Sequence, residues 1–205
     1  TAYLKANHPR EFLAALLTME SGNHDKLGPY IQHARDRGID VLAPELNSSE
    51  RDFAVVPEGI RFGFSGVKNV GEAAIEAILE TRRAGGPFES LYDFTGRIDA
   101  KRVNRRVIES LIRAGAFDFS KATRASLFAA VPGAIERAQR EQRDRLLGQE
   151  SLFGVEAPTA APALAEVEEW PEAQRLAGEK ELLGFYVTGH PLDKLQSVVT
   201  AADLV

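Results

Sequence analysis

The amino-acid sequence predicts a mainly α-helical fold with one small β-hairpin. Apolar residues recur at helical spacing in several stretches, most clearly in residues 12–17, 75–79 and 103–112. Residues 52–56 and 60–64 are instead apolar in partial alternation, and the turn signal Pro57-Glu58-Gly59 joins them as two short strands. With 205 residues, of which 44% are apolar, the chain can form one large or two small globular domains.

The N-terminal quarter of the chain predicts three helices and a strand. Residues 1–7 have no capping residue, and we expect them to end a helix that starts upstream. Pro9 suits the first turn of the next helix, which should run to about residue 20. Asp25 is the predicted cap of a third helix, which Gly38 should end. Residues 39–42 then predict a short strand before the hairpin.

Residues 64–86 predict a tight turn that opens an amphipathic helix. Asn69 and Gly71 tolerate positive φ, so the chain can reverse sharply there. Such a bend presents backbone N–H groups at a helix N-terminus, where an anion binds readily, and Lys68 adds a positive charge. This pattern is typical of a helix-hairpin-helix, which would grip a DNA phosphate through Lys68, Asn69, Val70 and Gly71. The alternative is an ordinary helix that follows a glycine turn.

Residues 91–115 predict a second helix, turn and helix, so the two units form a tandem. We expect the second helix of this unit to span residues 102–113, after a longer turn that lacks glycine. The net charge is −5, but eight basic residues face three acidic ones in residues 97–124, whereas residues 156–181 are acidic. Four residues of this basic centre are candidate phosphate contacts: Lys101, Arg102, Arg105 and Arg106. The alternative is a solvated helix face.

The C-terminal part predicts a long helix, a linker and a short helix. Residues 123–147 form the long helix, and Pro132-Gly133 is the one point at which we expect an interruption. Residues 157–165 are rich in Ala and Pro and predict a linker. A helix over residues 170–183 should then lead into a strand or turn and a last short helix over residues 192–199.

The sequence contains no convincing catalytic or metal-binding constellation. Cysteine is absent, and the four histidines lack metal-ligand spacing. The acidic residues are scattered, and no pair of them follows a predicted strand, as two-metal phosphoryl chemistry would require. We therefore predict no catalytic residue and no metal site in this chain. No apolar run approaches the roughly 18 residues of a membrane span, so no membrane partner is expected either.

Residues 149–153 stand out between the polar end of the long helix and the linker. Leu152 and Phe153 have no periodic apolar partners nearby, and burying each would contribute about 1.5–3 kcal/mol. They therefore suit an apolar pocket on a partner, and Gln149 could hydrogen-bond to the rim of that pocket. The predicted binding segment comprises Gln149, Ser151, Leu152 and Phe153. The alternative is that Leu152 and Phe153 pack on their own domain.

Five ordered blocks resemble the alpha (catalytic) subunits of bacterial DNA polymerase III, the C-family replicative polymerases. They are residues 3–9, 66–71, 104–118, 149–153 and 184–191. The resemblance implies that residues 1–60 end a fingers domain and that residues 61–180 form a clamp-binding domain with hairpins at 64–86 and 91–115. Residues 181–205 would lead toward an OB-fold domain. Asn69 departs from the glycine found in many such turns.

The resemblance implies a cytoplasmic, non-catalytic segment that binds double-stranded DNA non-specifically. Gln149, Leu152 and Phe153 match the family's motif for the sliding clamp, or beta subunit. Other polymerase III subunits would bind regions outside this chain, and the polymerase palm there would hold Mg²⁺, with no cofactor in this segment. One alternative is a helix-hairpin-helix DNA-binding scaffold of a repair or recombination protein. Another is an interaction module that makes no DNA contact.

Overall fold

The computed structural model describes residues 2–146 and 162–189, and most of these residues are helical. The described residues form the following helices: α1 Ala2–Asn7, α2 Pro9–Met19, α3 His24–Arg35, α4 Glu72–Gly85, α5 Leu91–Arg97, α6 Arg105–Arg113, α7 Arg124–Leu146 and α8 Glu172–Leu183. The strands are β1 Val41–Leu42, β2 Ala54–Val56 and β3 Gly59–Arg61. The predicted mainly α-helical fold with a small hairpin is thus confirmed.

The predicted hairpin is part of a three-stranded sheet. β2 and β3 pair antiparallel, with Val55 opposite Ile60. β1 lies on the other side of β3 and pairs with it in parallel, so the strand order is β1-β3-β2. Parallel pairing requires a long connection, and residues 43–58 supply it. The sequence predicted the strands but not this order.

Several predicted helix limits are wrong, and a capping side chain explains one of them. The N-cap position of α3 is Asn23, so Asp25 lies in the first turn and does not cap the helix. α6 starts at Arg105, not at residue 102, because the side chain of Asn104 accepts a hydrogen bond from the Val107 N–H at 3.1 Å. Ser90 likewise caps α5 by accepting from the Asp93 N–H.

The long helix α7 is not interrupted at Pro132. Proline cannot donate the hydrogen bond that a helix interior needs. The flanking residues Val131 and Ala134 are nevertheless fully buried, so packing holds the helix through this point. Residues 184–189 contain no strand and form turns after Gly184, which takes φ +82° at the end of α8. The predicted last helix over residues 192–199 lies outside the described residues.

The hydrophobic core is continuous from α2 to the turn after α8. It contains residues from Leu13 to Phe185, on both sides of residue 60, where the first predicted domain ends. In its centre the Phe94 ring packs edge-on against Phe88 and Phe117, with ring centres 5.0 and 5.3 Å away. This aromatic cluster joins α5 to the segment after α6, so the second hairpin packs as one unit. The predicted domain limits stay predictions.

A buried ion-pair network attaches α8 to the start of α7. The Arg124 side chain is 3% exposed and donates to Glu179, which is fully buried, at 3.0 Å. Arg124 also donates two hydrogen bonds to Asp118, at 3.0 and 2.7 Å. Burial lowers the pKa of Arg124, but Asp118 and Glu179 outweigh it, so the pKa is raised overall. The Glu179 carboxylate also accepts from the Val187 and Thr188 N–H groups, which orders the chain after α8.

Candidate nucleic-acid interface

The first hairpin turn is built around Asn69, which takes the left-handed conformation with φ +70°. Asparagine is one of the few non-glycine residues that adopt this region readily. The element before the turn is a single 3₁₀ turn, Phe64–Gly66, and α4 follows the turn. Val70 is buried in the core, and its N–H donates to the Val67 carbonyl at 3.2 Å. The predicted sharp reversal is therefore present and centred on Asn69.

Gly71 does not need the conformational freedom that the sequence suggested. It occupies the N-cap position of α4 with φ −79° and ψ 167°, an extended conformation open to any residue. A Cβ atom at this position would meet no other atom within 4 Å. Of the two residues that the sequence offered for the reversal, Asn69 takes a positive φ and Gly71 does not, so a β-branched residue at position 71 would meet no backbone strain.

The start of α4 presents backbone donors to solvent. Residues 71–73 are exposed, and within the described ranges no acceptor is bound to their N–H groups. The exposed Lys68 side chain lies next to this turn, with no carboxylate partner within residues 2–146 and 162–189. Its backbone N–H donates to the Leu182 carbonyl at 2.9 Å, which attaches the turn to α8. Free helix-terminal amides beside a lysine form a site suited to a phosphate.

A carboxylate also lies at this site. Glu72 is the first residue of α4 and forms an ion pair with Arg51 at 2.5 Å. Arg51 therefore compensates the negative charge that Glu72 places beside the free amides. Both side chains are about half exposed, so this pair is readily rearranged by solvent or by a ligand.

Two arginines that were predicted to contact phosphates, Arg102 and Arg105, form ion pairs within the protein. Arg102 donates to Glu80 at 2.6 Å and to Glu76 at 2.9 Å, and both carboxylates lie on α4. The hydrogen bond to Glu80 is the largest cause that raises the pKa of Arg102. Arg102 therefore connects the two hairpins. Arg105 is paired with Glu109 within α6 at 2.6 Å, and its side chain is 61% exposed.

Lys101 and Arg106 are the more available cations of the second hairpin. Both are exposed, and neither has a carboxylate partner in the part of the chain that the structure describes. Lys101 lies in the turn. Its backbone N–H, and not its side chain, donates to the Asp99 carboxylate at 2.9 Å. Arg106 lies in the first turn of α6. The predicted set of phosphate contacts stays a prediction, with Lys68, Lys101 and Arg106 its least engaged side chains.

Two contacts that connect the hairpins were not foreseen from the sequence. The Asn69 side-chain amide donates to the Ser110 hydroxyl on α6 at 3.1 Å. Arg102 reaches across to α4, as described above. Each contact joins residues at least 22 positions apart, beyond the reach of any helical periodicity. The only sequence signal was Ser110 itself, a polar residue on the apolar face of α6.

The predicted clamp-binding segment lies outside the described residues. This applies to Gln149, Ser151, Leu152 and Phe153. Among residues 2–146 and 162–189, no group of three or more His, Cys, Asp or Glu side chains is placed to hold a metal ion. A search of the same ranges finds no helix with the length and apolar character needed to cross a membrane.

Comparison with known proteins finds the helix-hairpin-helix motif and the relatives that the sequence blocks indicated. A family model described as a helix-hairpin-helix motif matches residues 38–127, which include both predicted hairpins. The chain is 43% identical over 204 residues to the DNA polymerase III subunit alpha of Vibrio cholerae. It is 48% identical over 192 residues to that of Thermus aquaticus, and 40% identical over 212 residues to that of Campylobacter jejuni.

These alignments cover nearly all of the chain but a small part of each relative. They include 98%, 94% and 100% of the chain, respectively. The chain spans only 18%, 15% and 18% of the lengths of these relatives. The resemblance found in five sequence blocks is therefore confirmed as similarity to one segment of a much longer protein.

Proposed function

Because the chain is similar over nearly its whole length to a segment of bacterial DNA polymerase III alpha subunits, we propose that it holds duplex DNA and docks on the sliding clamp during replication. The helix-hairpin-helix units would bind the sugar-phosphate backbone. The segment around Leu152 and Phe153 would bind the clamp. Nucleotidyl transfer, and the Mg²⁺ that it uses, are assigned to parts of the polymerase outside this chain.

The observation that carries this proposal is the Asn69 turn. It places the exposed amides of residues 71–73, which have no acceptor among the described residues, next to Lys68. A phosphate oxygen can accept hydrogen bonds from the amides while the ammonium group and the helix dipole stabilise its charge. The core holds this arrangement on both sides, through Val70 and through the Asn69–Ser110 hydrogen bond. This packing would present the amides and the lysine to a phosphate together.

The proposed DNA contacts would not read a base sequence. Lysine and arginine side chains and backbone amides contact phosphates, which are the same at every base pair. The candidate cations lie in the two hairpin turns and in the first turn of α6. Binding insensitive to sequence suits a protein that follows a growing duplex. Its affinity should fall steeply as salt rises, because counterions are released from the DNA.

The clamp contact rests on the sequence pattern and on the resemblance. Leu152 and Phe153 would enter an apolar pocket, and Gln149 would hydrogen-bond at its edge, with Ser151 between them. Two buried side chains, less the cost of ordering a linker, correspond to an affinity on the order of micromolar. Once the polymerase also holds DNA that threads the ring, the second contact becomes intramolecular and the combined affinity rises. The chain would act in the cytoplasm, together with the other polymerase III subunits.

Duplex binding by the 205-residue chain tests the first half of this function. Two fluorescently labelled duplexes of unrelated sequence are titrated with the chain at a series of salt concentrations, and anisotropy is recorded. The proposal predicts equal affinities for the two duplexes and a linear fall of log K with log salt. Binding to one duplex only, or no binding at low salt, would contradict it. Clamp docking, the second half of the proposed function, is tested by measuring binding of the same chain to sliding clamp that is immobilised on a surface.

A further inference from the structure

A groove continues from the first hairpin turn to α8. Its volume is about 490 Å³, and it is lined on one side by Asn69 and α6 and on the other by the segment before α8 and α8 itself. The residues that matter here are Asn69, Arg106, Arg113, Phe128, Trp170 and Arg175. Phe128, Trp170 and Arg175 lie outside both hairpins. The groove therefore adds a surface to the one that the hairpins provide.

The α6 wall of the groove faces the first hairpin. Arg106, Ser110 and Arg113 follow one another at helical spacing, so their side chains lie on one face of α6. Ser110 accepts the hydrogen bond from Asn69, which fixes this face toward the turn. On the opposite side, an added Cβ on Gly178 would lie 3.5 Å from the Arg113 Nε atom. α6 and α8 thus approach closely, and Arg113 lies between them.

The groove retains unused capacity to donate hydrogen bonds to an anion. Its two carboxylates are already engaged, since Glu109 accepts from Arg105 and Glu181 accepts from Arg113, both at 2.6 Å. Arg106 has no carboxylate partner in the described ranges. The Nε atom of Arg175 is buried and has no hydrogen-bond acceptor there. The Arg175 charge also acts on nearby Glu169.

An aromatic pair completes the wall. The rings of Trp170 and Phe128 meet edge-on, with their centres 5.4 Å apart. Guanidinium groups beside aromatic rings suit the alternating charged and apolar parts of a nucleotide chain. An acidic peptide would match the arginines as well. However, Asn69 lines the groove and belongs to the same turn as the amides and the lysine that are proposed to hold a phosphate.

We propose that this groove binds a second backbone phosphate of the duplex through Arg106 and Arg175, with Trp170 against the adjoining sugar. The inference rests on the proposed DNA binding and extends it from the hairpin turns to α8. It gives α8 a direct part in holding DNA, beside its part in the core. It also makes Arg175, which lies outside both hairpins, a DNA-binding residue.

The test uses Trp170, which is the only tryptophan of the chain. The 205-residue chain is titrated with unlabelled duplex while tryptophan emission is recorded, and with labelled duplex while anisotropy is recorded. The inference predicts that emission changes with the same midpoint as anisotropy. Arg175→Ala should reduce the slope of log K against log salt by about one. Arg175→Lys should restore the slope, because it restores the charge. Arg140→Ala removes an exposed charge from α7, outside the groove, and should leave the slope unchanged.

The two proposals fail in distinguishable ways. If anisotropy reports salt-dependent binding while Trp170 emission is constant and Arg175→Ala keeps the wild-type slope, the groove inference is overturned and the hairpin proposal survives. If anisotropy reports no binding, DNA binding itself is contradicted. Thermal unfolding of each variant is measured in parallel. Arg175→Ala could lose binding only because part of it is unfolded. If the folded fraction of this variant keeps the wild-type salt slope, the groove inference is overturned as well.

Discussion

The side-chain amide of Asn69 donates a hydrogen bond to the hydroxyl of Ser110, with 3.1 Å between the two atoms. Asn69 is the residue with φ +70° in the first hairpin turn, and Ser110 is a buried residue of the second hairpin. One residue therefore provides both the reversal of the chain and the contact that sets the two hairpins against each other. Glycine, common at this position in such turns, could provide only the first.

Substitutions in this turn should separate the two roles of Asn69. Asn69→Gly keeps the backbone conformation but leaves the Ser110 hydroxyl without its partner, and should cost about 0.5–1.5 kcal/mol of unfolding free energy. Asn69→Val adds the strain of a β-branched residue at positive φ, roughly another 1–2 kcal/mol. Gly71→Ala should cost less than about 1 kcal/mol, because position 71 is extended and open and the change loses only the preference of an N-cap for glycine over alanine. Denaturant unfolding measures all three. A loss for Gly71→Ala as large as that for Asn69→Val would contradict this geometry.

The buried ion-pair network should contribute much more to stability than its exposed neighbour on the same helix. Glu179→Ala leaves Arg124 buried with Asp118 as its one remaining carboxylate partner among the described residues. It also removes the acceptor of two backbone N–H groups, so the expected cost is about 3–5 kcal/mol. Glu181→Ala removes an ion pair whose glutamate is 54% exposed and should cost less than about 1 kcal/mol. Denaturant unfolding compares the two variants. Equal losses would show that the network does not stabilise α8.

The stability of the α7 N-terminus should depend on pH through Glu169. Partial burial raises the pKa of Glu169, but hydrogen bonds from the Arg124, Trp170 and Ala125 N–H groups outweigh it and lower the pKa overall. A carboxylate with a lowered folded-state pKa stabilises the fold above its unfolded value, about 4.3, and this contribution is lost as pH falls through the folded value.

Glu169→Gln should therefore destabilise the chain at neutral pH, by about 0.5–1 kcal/mol for a partly exposed helix cap. The difference from wild type should shrink toward zero below about pH 4. Glu168→Gln, an exposed neighbour, is the matched control and should show no such dependence. Unfolding free energies at a series of pH values provide the measurement. A difference that stays constant from pH 7 to pH 3 would exclude the charge of Glu169 as its cause.

The clamp-binding segment yields a prediction independent of the DNA site. Leu152→Ala with Phe153→Ala should abolish binding to immobilised sliding clamp, because both anchors of a micromolar contact are removed. Val155→Ala, an apolar residue outside the motif, should bind as wild type. In a polymerase that carries this segment, the double variant should also shorten clamp-dependent products and spare distributive synthesis. Long clamp-dependent products from the double variant would instead indicate that Leu152 and Phe153 pack on their own domain.

Local features of this fold could be predicted from the sequence, because each depends on few neighbouring residues. Asn69 indicated a positive φ from its residue type, and it takes φ +70°. The start of α6 was missed because the capping residue Asn104 could not be distinguished from its polar neighbours, and α3 starts without a side-chain cap. Pro132 indicated an interruption that packing overrides.

The composition of the candidate site was predictable, but its pairing was not. Lys68 and Arg106 are exposed, and neither side chain forms an ion pair with a carboxylate among the described residues. This agrees with the prediction from the charge pattern that their side chains face solvent. Arg102 instead binds Glu76 and Glu80, which lie more than twenty residues earlier in the chain. The parallel pairing of β1 with β3 was missed for the same reason. Such contacts depend on how helices and strands pack, and local spacing carries no information about them.

The salt dependence of duplex binding by Lys68 and Arg106 variants tests the central claim most directly. Lys68→Ala and Arg106→Ala should each reduce the slope of log K against log salt by about one unit, and the double variant by about two. Arg105→Ala should reduce it less, because Glu109 already compensates that charge. Arg140→Ala with Arg143→Ala removes two charges from α7 and should leave the slope at the wild-type value. A double Lys68 and Arg106 variant with the wild-type slope would show that DNA does not contact the hairpin turns.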